Sequence, residues 1–390
     1  MKVLMINTVC GTGSTGRICT DIANILKERG GDCLICYGRG SGIGFDNTYK
    51  IGYKISVNLH ALKTRITDKH GLGSKFDTKK LIKKIQEYDP DIIHLHNIHG
   101  YYLNYKMLFE FLANYNKPIV WTLHDCWPFT GHCAYFDFIQ CDKWKNLCNK
   151  CQLKNDYPAS KLISSAKHNF LQKKASFTSV KNMTIVTPSN WLKRLIKQSF
   201  LSSYPVAVIN NGIDTNVFKH TESNLREVFG LNNKFIILAV ANIWNARKGI
   251  DDIIKLADLL DDNEVIVIVG KVLNEVNHKK ILFIERTSDV WELAKLYTIA
   301  DVVINPTYED NYPTINLEAQ ACGTPVITYA TGGSVESVVS DNIVEKSDYK
   351  ALYKKIKTMN NSINKIKDRV EMVNDYLILY ENYSNCGKIL

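Results

Sequence analysis

Long apolar runs are missing from this chain of 390 residues. No segment approaches the roughly 20 consecutive apolar residues that a helix needs to cross a bilayer, which excludes a helical membrane-spanning protein. Low-complexity tracts and repeats of solenoid period are also missing, which excludes a largely disordered chain and a repeat architecture. The start, Met1–Asn7, resembles a buried strand and not a signal peptide, because a polar residue and a glycine loop follow its apolar run. We therefore expect a cytoplasmic protein.

Acidic residues are scarce in the first half of the chain. Residues 1–200 contain 29 lysines and arginines against 14 aspartates and glutamates, and the remainder contains 20 against 25. This excess of positive charge predicts an anionic partner for the first half, either a nucleic acid, a membrane surface or a phosphorylated substrate. Lysine-rich helices that face only solvent would explain the same charge. Because no aromatic platform or known motif supports nucleic-acid binding, we expect none.

A strand and helix alternation runs along the whole chain. Continuous Val, Ile and Leu runs are typical of strands buried on both faces of a parallel sheet, and helix-length segments separate them. The predicted strands are 3–6, 32–37, 91–96, 118–123, 184–187, 206–209, 235–240, 265–269, 281–284, 302–305 and 325–329. The alternation starts twice, which predicts an α/β fold of two Rossmann-like, doubly wound domains that face a central cleft.

The predicted boundary lies near residue 205, and the polar stretch 222–234 is a second candidate. The first domain would be 1–205, and the second would be 206–367. We expect a last helix, within about 368–390, to pack back on the first domain.

A glycine-rich loop follows the first predicted strand and opens the first helix. Glycines let the backbone approach a ligand closely, and a helix N-terminus presents free N–H groups to an anion. The acidic residue that a dinucleotide site places after the second strand is missing, because Tyr37-Gly38-Arg39 stands there. We predict a phosphate or sugar contact here; a true dinucleotide site and a purely structural turn are the alternatives. The contact residues would be Gly13, Ser14, Thr15 and Gly16.

The corresponding loop of the second half follows strand 235–240 and runs from Asn242 to Gly249. It carries Arg247 and Lys248 directly before a predicted helix. Two cations at a helix N-terminus suit a diphosphate, with lysine as a point charge and arginine as a bidentate donor. Gly270, at the end of the next strand, would add an N–H group. The alternative is a solvated basic turn.

Two carboxylates frame a helix later in the chain. Asp310 lies in the loop after strand 302–305, and Glu318 lies within the following helix. Acceptors placed in this way can bind the hydroxyls of a sugar and a ribose. The stretch Glu318–Val326, with the sequence Glu-Ala-Gln-Ala-Cys-Gly-Thr-Pro-Val, resembles the signature of family-4 retaining glycosyltransferases. The family's first acidic residue, usually Glu, is Asp310 here, with Glu309 beside it.

The resemblance extends to other segments and implies the two-domain GT-B fold. It implies that Lys248 binds the donor diphosphate and that His124, in His124-Asp125, contacts the donor sugar. Asn242 stands near the family's usual arginine, and Arg247 would substitute for it. The remaining predicted donor contacts are Ile284, Glu309, Asn311, Tyr312, Pro313 and Thr314.

Three segments resemble family members that build colanic acid, capsule and related bacterial surface polysaccharides. They are Gly13–Ile18, His124–Trp127 and Asp310–Pro313. The resemblance implies a nucleotide-sugar donor, UDP more readily than GDP, and a saccharide acceptor on a polyprenyl diphosphate. The basic first domain fits an anionic membrane as a peripheral partner. Residues 191–197 would form an interfacial helix there, with an ordinary core helix as the alternative.

The implied mechanism needs no protein nucleophile and no general base. Lys248 and Arg247 would stabilise the leaving diphosphate, Glu318 the ribose and Asp310 the sugar hydroxyls. The stretch Asp89-Pro90-Asp91 is an Asp-x-Asp match, but it precedes a strand at the end away from the ligand edge. We interpret it as a turn and expect catalysis without a divalent ion.

Four cysteines form a cluster within 19 residues and end in a Cys-x-x-Cys pair. They are Cys133, Cys141, Cys148 and Cys151. Such spacing predicts a structural zinc site, with Trp144 and Tyr135 as its apolar shell. An iron–sulfur cluster and free or disulfide-bonded cysteines are the alternatives.

Two other functions fit the same fold. A sugar-nucleotide 2-epimerase would need carboxylates for proton abstraction and would lack a polymer acceptor. A non-catalytic protein that binds nucleotide-sugars or polysaccharides would bind the donor without turnover.

Overall fold

The computed structural model describes residues 1–272 and 277–386. The chain forms two compact units. The first consists of residues 1–210 and the C-terminal helix from Val370 onward, and the second is Asn211–Arg369.

The first unit is built on a seven-stranded parallel sheet with the order β3-β2-β1-β4-β5-β6-β7. Its strands are β1 (Lys2–Asn7), β2 (Asp32–Tyr37), β3 (Thr48–Lys50), β4 (Ile92–Leu95), β5 (Ile119–Thr122), β6 (Met183–Thr187) and β7 (Val206–Val208). Every residue of β4, β5 and β6 is buried. Helices on both faces explain why these strands are continuously apolar.

The helices of this unit are α1 (Gly13–Glu28), α2 (Lys54–Thr67), α3 (Lys75–Tyr88), α4 (Tyr105–Leu112), α5 (Ala166–Phe177), α6 (Asn190–Lys197) and α12 (Arg369–Cys386). Short 3-10 helices span Trp127–Phe129, Asp137–Ile139 and Lys143–Lys145. The helix α12 packs against α1 and the central strands through Met372, Val373, Tyr376, Leu377 and Tyr380.

The second unit has a six-stranded parallel sheet with the order β10-β9-β8-β11-β12-β13. Its strands are β8 (Phe235–Trp244), β9 (Glu264–Val272), β10 (Ile281–Ile284), β11 (Val302–Asn305), β12 (Val326–Tyr329) and β13 (Ile343–Val344). The helices are α7 (Leu225–Val228), α8 (Ile250–Ala257), α9 (Val290–Ile299), α10 (Thr314–Ala321) and α11 (Tyr349–Thr358). Short 3-10 helices span Ala246–Lys248, Ser334–Ser337 and Ser340–Asn342.

Both sheets have the doubly wound strand order, so the predicted fold class of two Rossmann-like units is confirmed. In each sheet the order reverses beside the first strand of its unit, between β1 and β4 and between β8 and β11. Ligands of such sheets bind outside the carboxyl ends of the strands at this switch point. A ligand is therefore expected at the loops that follow these four strands.

Candidate active site

In the second unit, the loops at the switch point bring a lysine and an aspartate together. Lys248 follows β8, and Asp310 follows β11. The Nζ atom of Lys248 lies 2.6 Å from Oδ2 of Asp310, and the side chains are 20% and 15% exposed. The second oxygen of Asp310, Oδ1, accepts a hydrogen bond from the backbone N–H of Asn311. The carboxylate is thus held in place and neutralises the ammonium in a partly buried setting.

Arg247 ties the same two loops together through the backbone. Its Nη1 donates to the carbonyl of Glu309 at 2.9 Å, and its own carbonyl accepts from the N–H of Tyr308. Gly249 explains the close approach of the loops: its φ is +79°, and a Cβ atom there would lie 2.1 Å from the carbonyl oxygen of Pro306. Only glycine fits this position.

Glu318 lies on α10 with its side chain buried. Its Oε2 accepts a hydrogen bond of 3.0 Å from the hydroxyl of Tyr297 on α9. Glu309 is also buried, whereas Asp310 is the partly exposed member of the acidic pair and the one that contacts Lys248. The geometry therefore favours Asp310 over Glu309 as the carboxylate available to a ligand.

A buried asparagine that the sequence did not reveal fixes the start of α10. Asn316 accepts from the side-chain amide of Asn305 on β11 and donates to the hydroxyls of Ser334 and Ser337. Ser334 also hydrogen-bonds Thr328 on β12. This network joins α10 to two strands and to the loop after β12. The sequence does not show that these residues meet, and only the folded structure brings them together.

The other predicted donor residues of this unit lie at the same edge of the sheet. Asn311, Tyr312, Pro313 and Thr314 form the end of the loop and the start of α10, and Ile284 is the last residue of β10. Burial raises the pKa of Tyr312 to about 12. Asn242 does not begin the loop after β8, as the sequence predicted. The strand β8 continues past a bulge to Trp244, and Asn242 is an exposed strand residue.

Gly270 lies within β9 and has a structural reason for lacking a side chain. A Cβ atom there would lie 1.7 Å from the carbonyl oxygen of Ala241 on β8. This close approach accompanies the bulge in β8.

In the first unit, the glycine loop lies at the carboxyl end of β1, as predicted, but it is short. The helix α1 begins at Gly13, so Ser14, Thr15 and Gly16 are in its first turn. The backbone N–H of Gly11 donates to the carbonyl of Gly16. Gly13 and Ser14 are exposed, and Thr12, the N-cap residue, makes no side-chain capping bond. The arrangement is that of a helix N-terminus available to an anion.

His124 follows β5 and belongs to a row of histidines that the sequence reasoning missed. Its Nε2 lies 3.0 Å from Nδ1 of His96, and the two rings stack. His96 packs in turn on His94, which hydrogen-bonds Thr122 and Tyr380. The available signal in the sequence was the alternation of His94, in β4, with His96, which follows directly after that strand.

Burial controls the charge of these imidazoles. It lowers the pKa of His124 to about 4 and that of His94 to about 3, and it lowers the pKa of His96 well below its usual value. Near neutral pH they are therefore uncharged, and His124 acts as a hydrogen-bonding group and not as a cation.

Asp125 anchors the segment that carries His124. Its Oδ1 accepts from the backbone N–H of Trp127, and its Oδ2 lies 2.9 Å from Nε2 of His99. Burial acts to raise the pKa of Asp125, but His99 and the Trp127 bond outweigh it, and the pKa is lowered. Nδ1 of His99 lies 2.9 Å from the hydroxyl of Tyr157.

Comparisons with known proteins identify the family. Residues 15–217, more than half of the chain, match the family model described as Glycosyltransferase Family 4. Residues 221–373 match the model described as Glycosyl transferases group 1. The chain belongs to glycosyltransferase family 4.

Two curated relatives of this family-4 glycosyltransferase are named for the synthesis of surface polysaccharides. The putative colanic acid biosynthesis glycosyl transferase WcaC of Escherichia coli is 26% identical over 84% of this chain and 82% of its own length. The capsular polysaccharide biosynthesis glycosyltransferase CapM of Staphylococcus aureus is 28% identical over 39% of this chain and 44% of its own length. The predicted resemblance to the colanic acid and capsule type is confirmed.

Solved structures confirm the GT-B fold of this family-4 glycosyltransferase. Sucrose-phosphate synthase from Thermosynechococcus elongatus superposes with a TM-score of 0.71 at 14% identity and covers 99% of both chains. The Anabaena protein HepE in complex with UDP superposes with a TM-score of 0.64 at 15% identity and covers 100% of both chains.

The zinc prediction for this glycosyltransferase is not supported. Within the described ranges, no group of three or more His, Cys, Asp or Glu side chains could hold a metal ion. Cys133, Cys141, Cys148 and Cys151 line one pocket together with apolar side chains, such as Phe136 and Trp144, and polar ones, such as Thr130 and His132. A hydrogen bond between Cys133 and Cys151 raises the pKa of Cys133 and lowers that of Cys151 to about 6, and burial raises the pKa of Cys148 to about 11. These cysteines are free.

Two other predictions concern position in the fold. The apolar residues of α6, which contains 191–197, pack into the first unit, and Leu192 and Ile196 are fully buried, so the core-helix alternative holds over the interfacial one. Asp91 accepts a hydrogen bond from the N–H of Lys2 at the amino end of the sheet, which confirms the turn at 89–91.

Among the described residues, no helix is long and apolar enough to cross a membrane.

Proposed function

We propose that this family-4 glycosyltransferase is a retaining enzyme that transfers a hexose from a UDP-sugar to a saccharide acceptor on a polyprenyl diphosphate. The product would belong to a bacterial surface polysaccharide. The reaction would take place at the cytoplasmic face of the plasma membrane.

The observation that carries this proposal is the switch-point site of the second unit. A lysine ammonium 2.6 Å from an aspartate carboxylate lies beside an arginine, at the edge where doubly wound sheets bind ligands. Cations suit the diphosphate of a nucleotide-sugar, and carboxylates accept hydrogen bonds from sugar hydroxyls. In this proposal Lys248 and Arg247 bind the diphosphate, Asp310 binds the sugar, and Glu318, oriented by Tyr297, binds the ribose.

The proposed chemistry is electrostatic. As the bond between the sugar and the phosphate breaks, negative charge grows on the leaving diphosphate, and Lys248 and Arg247 stabilise that charge. The acceptor hydroxyl attacks from the same face of the sugar and gives its proton to the departing phosphate oxygen, so the anomeric configuration is retained. His124 is neutral in this proposal. It donates or accepts a hydrogen bond at the sugar and does not act as a cation. In this proposal the cations of Lys248 and Arg247 take the place of a divalent ion at the diphosphate.

Several findings support the donor and the acceptor. HepE, which shares the fold, binds UDP, and WcaC, which is similar along most of the chain, is named for colanic acid synthesis. The excess of 15 positive charges in residues 1–200 fits a membrane-linked, phosphorylated acceptor.

A screen of nucleotide-sugars for thermal stabilisation tests the proposal. A ligand that binds only the folded state raises the unfolding midpoint, and a ligand at 100 times its Kd adds about 2.7 kcal/mol of stability. We expect UDP-sugars to stabilise the protein in the presence of EDTA. The best donor is then offered with lipid-linked saccharides, and NMR of the product should give the anomeric configuration of the donor. An epimerised donor, or stabilisation without transfer to any acceptor, would favour the epimerase or the non-catalytic binding protein.

A further inference from the structure

The helix α2 has two apolar sides, and only one of them is covered. Val57, His60 and Thr64 are buried and pack toward the first unit. Ile55, Leu59, Leu62 and Ile66 recur every three or four residues on a different side of the helix and are between 42% and 73% exposed. A surface helix normally has a polar outer face, so this exposed row is unusual.

The exposed row continues onto a neighbouring segment. The backbone N–H of Lys161 donates to the carbonyl of Arg65, and the hydroxyl of Ser165 donates to the carbonyl of Thr67. Leu162 and Ile163, which lie between these two contacts, are 70% and 52% exposed. At the other end of α2, Tyr53 is exposed as well. We call the set of Tyr53, Ile55, Leu59, Leu62, Ile66, Leu162 and Ile163 the apolar α2 face.

The surroundings of the apolar α2 face are cationic. Residues 48–85 contain ten lysines and arginines and two acidic residues, Asp68 and Asp77. Both acidic side chains are buried, and Asp68 is paired with His132. The exposed charges of α2 are therefore all positive, namely Lys54, Lys63 and Arg65. On α3 the exposed charges are Lys75, Lys79, Lys80 and Lys83, and one acid, Glu87, which pairs with Lys83 at 3.7 Å.

We propose that the apolar α2 face docks this enzyme on an anionic lipid bilayer. An interfacial helix combines an apolar side with flanking cations, and it lies in the plane of the membrane with its apolar side chains among the headgroups and upper acyl chains. Each lysine or arginine near such a surface adds to the attraction of the anionic headgroups. The combination of exposed Leu and Ile with cations, and with no exposed acid on α2, matches that partner.

A second copy of the chain fits this face poorly. A two-fold dimer would place the same patch of both copies together, and Lys54, Lys63 and Arg65 would then face the same cations of the other copy. The inference deepens the proposed function, since it rests on an acceptor that is linked to lipid. It also replaces α6, whose apolar side is buried, with α2 as the membrane-facing helix.

Co-sedimentation of the full chain with vesicles tests the inference. The vesicles contain phosphatidylcholine alone or phosphatidylcholine mixed with phosphatidylglycerol. We expect the protein to bind the anionic vesicles and to be released by salt. Leu59→Ser/Leu62→Ser should weaken the partitioning by about tenfold or more, because two exposed leucines no longer enter the bilayer. Lys63→Gln/Arg65→Gln should weaken it on anionic vesicles only.

The matched control is Val228→Ser/Ile378→Ser, which removes two apolar side chains of similar exposure, 62% and 57%, from other surfaces. It should bind vesicles like the wild type. The inference is overturned if the wild type stays in the supernatant with anionic vesicles, or if Leu59→Ser/Leu62→Ser binds as the wild type does. It is also overturned if ultracentrifugation shows a dimer that this variant converts to a monomer, since a second copy then covers the face.

The same proteins, tested for stabilisation by UDP-sugars, separate this inference from the proposed function. All of them should be stabilised, which also shows that the variants are folded. Absence of stabilisation in every protein would count against the donor, whereas the vesicle result depends only on the α2 face.

Discussion

Lys248 has the most direct role proposed for a single side chain. In the structure its ammonium is already balanced by Asp310 at 2.6 Å. Binding of a diphosphate would add two further anionic groups around one lysine and one arginine. The pair therefore sets the position of the lysine, and the charge that develops on the leaving group strengthens its contact with the phosphate.

Replacement of Lys248 tests this role. Lys248→Ala should lower kcat by about 10²-fold to 10³-fold, the usual loss when one group that stabilises transition-state charge is removed. The measurement is the initial rate of sugar transfer with saturating donor. Lys255→Ala is the matched control, since Lys255 lies on α8 and pairs with Asp252 at 3.7 Å, outside the site. A wild-type rate for Lys248→Ala would contradict the assignment.

The charge state of His124 gives a second prediction at this scale. Because burial holds its pKa at about 4, its protonation state does not change between pH 5.5 and 8. We expect kcat/KM to show no step near pH 6.5, where an ordinary histidine titrates. A loss of activity should begin only as the pH falls toward about 4, where His124 gains a proton.

Two variants complete that test. His124→Ala should lower kcat/KM by at least about tenfold, since a hydrogen bond at the reacting sugar is lost. His168→Ala changes an exposed histidine of the same unit and should leave the rate unchanged. A pH profile of the wild type with a midpoint near 6.5 that His124→Ala abolishes would show that His124 titrates normally.

At the scale of elements, α10 depends on one buried asparagine. Asn316→Ala would leave the amide of Asn305 and the hydroxyls of Ser334 and Ser337 without this partner inside the second unit. Each buried polar group that loses its partner costs about 1–3 kcal/mol. We expect the free energy of unfolding of the second unit to fall by a few times this cost. The affinity for the donor should fall as well, because α10 carries Glu318.

Denaturant unfolding followed by fluorescence measures the first effect, and the UDP-sugar stabilisation screen measures the second. Asn233→Ala, which changes an exposed asparagine of the same unit, is the control and should alter neither. If Asn316→Ala unfolds at the same denaturant concentration as the wild type, the network does not hold α10.

The sequence pattern identified the longer strands and missed two of the shortest. The predicted ranges 32–37, 281–284 and 302–305 coincide with β2, β10 and β11. Strands buried on both faces are continuously apolar, so their ends are sharp in the sequence. By contrast, β3 and β13 have three and two residues, too few to show any period, and they were missed.

The candidate site was predictable where its chemistry depends on adjacent residues. Arg247, Lys248 and Asp310 follow strands directly, and parallel strands end at a common edge, so their meeting could be inferred. The histidine row and the Asn316 network could not, because their members come from separate elements and only packing brings them together. The four clustered cysteines do line one pocket, but among the described residues no group of three or more His, Cys, Asp or Glu side chains could hold a metal ion.

At the scale of the whole molecule, buried histidines are concentrated in one unit. Eight of the ten histidines lie in residues 1–210, and His220 and His278 lie in the second unit. Burial lowers the pKa of His60 and His124 to about 4 and that of His94 to about 3. The unfolded chain protonates these groups near pH 6.5, whereas the folded unit does not until about pH 4 or below. Between these values the unfolded state binds more protons, and the free energy of unfolding falls as the pH falls.

We therefore expect acid to destabilise the first unit before the carboxylates titrate. Between pH 6.5 and about 4.5, its melting temperature should drop by at least about 5 °C. A tenfold weaker proton affinity corresponds to about 1.4 kcal/mol of unfolding free energy, and each kcal/mol moves the melting temperature of such a unit by about 2–4 °C. Calorimetry over this range measures it. His94→Gln removes one titrating group and should reduce the slope, whereas His220→Gln, at an exposed position of the second unit, should not. A melting temperature that stays constant down to pH 4.5 would mean that these imidazoles carry their charge inside the folded unit, and His124 could then no longer be assigned a neutral role at the sugar.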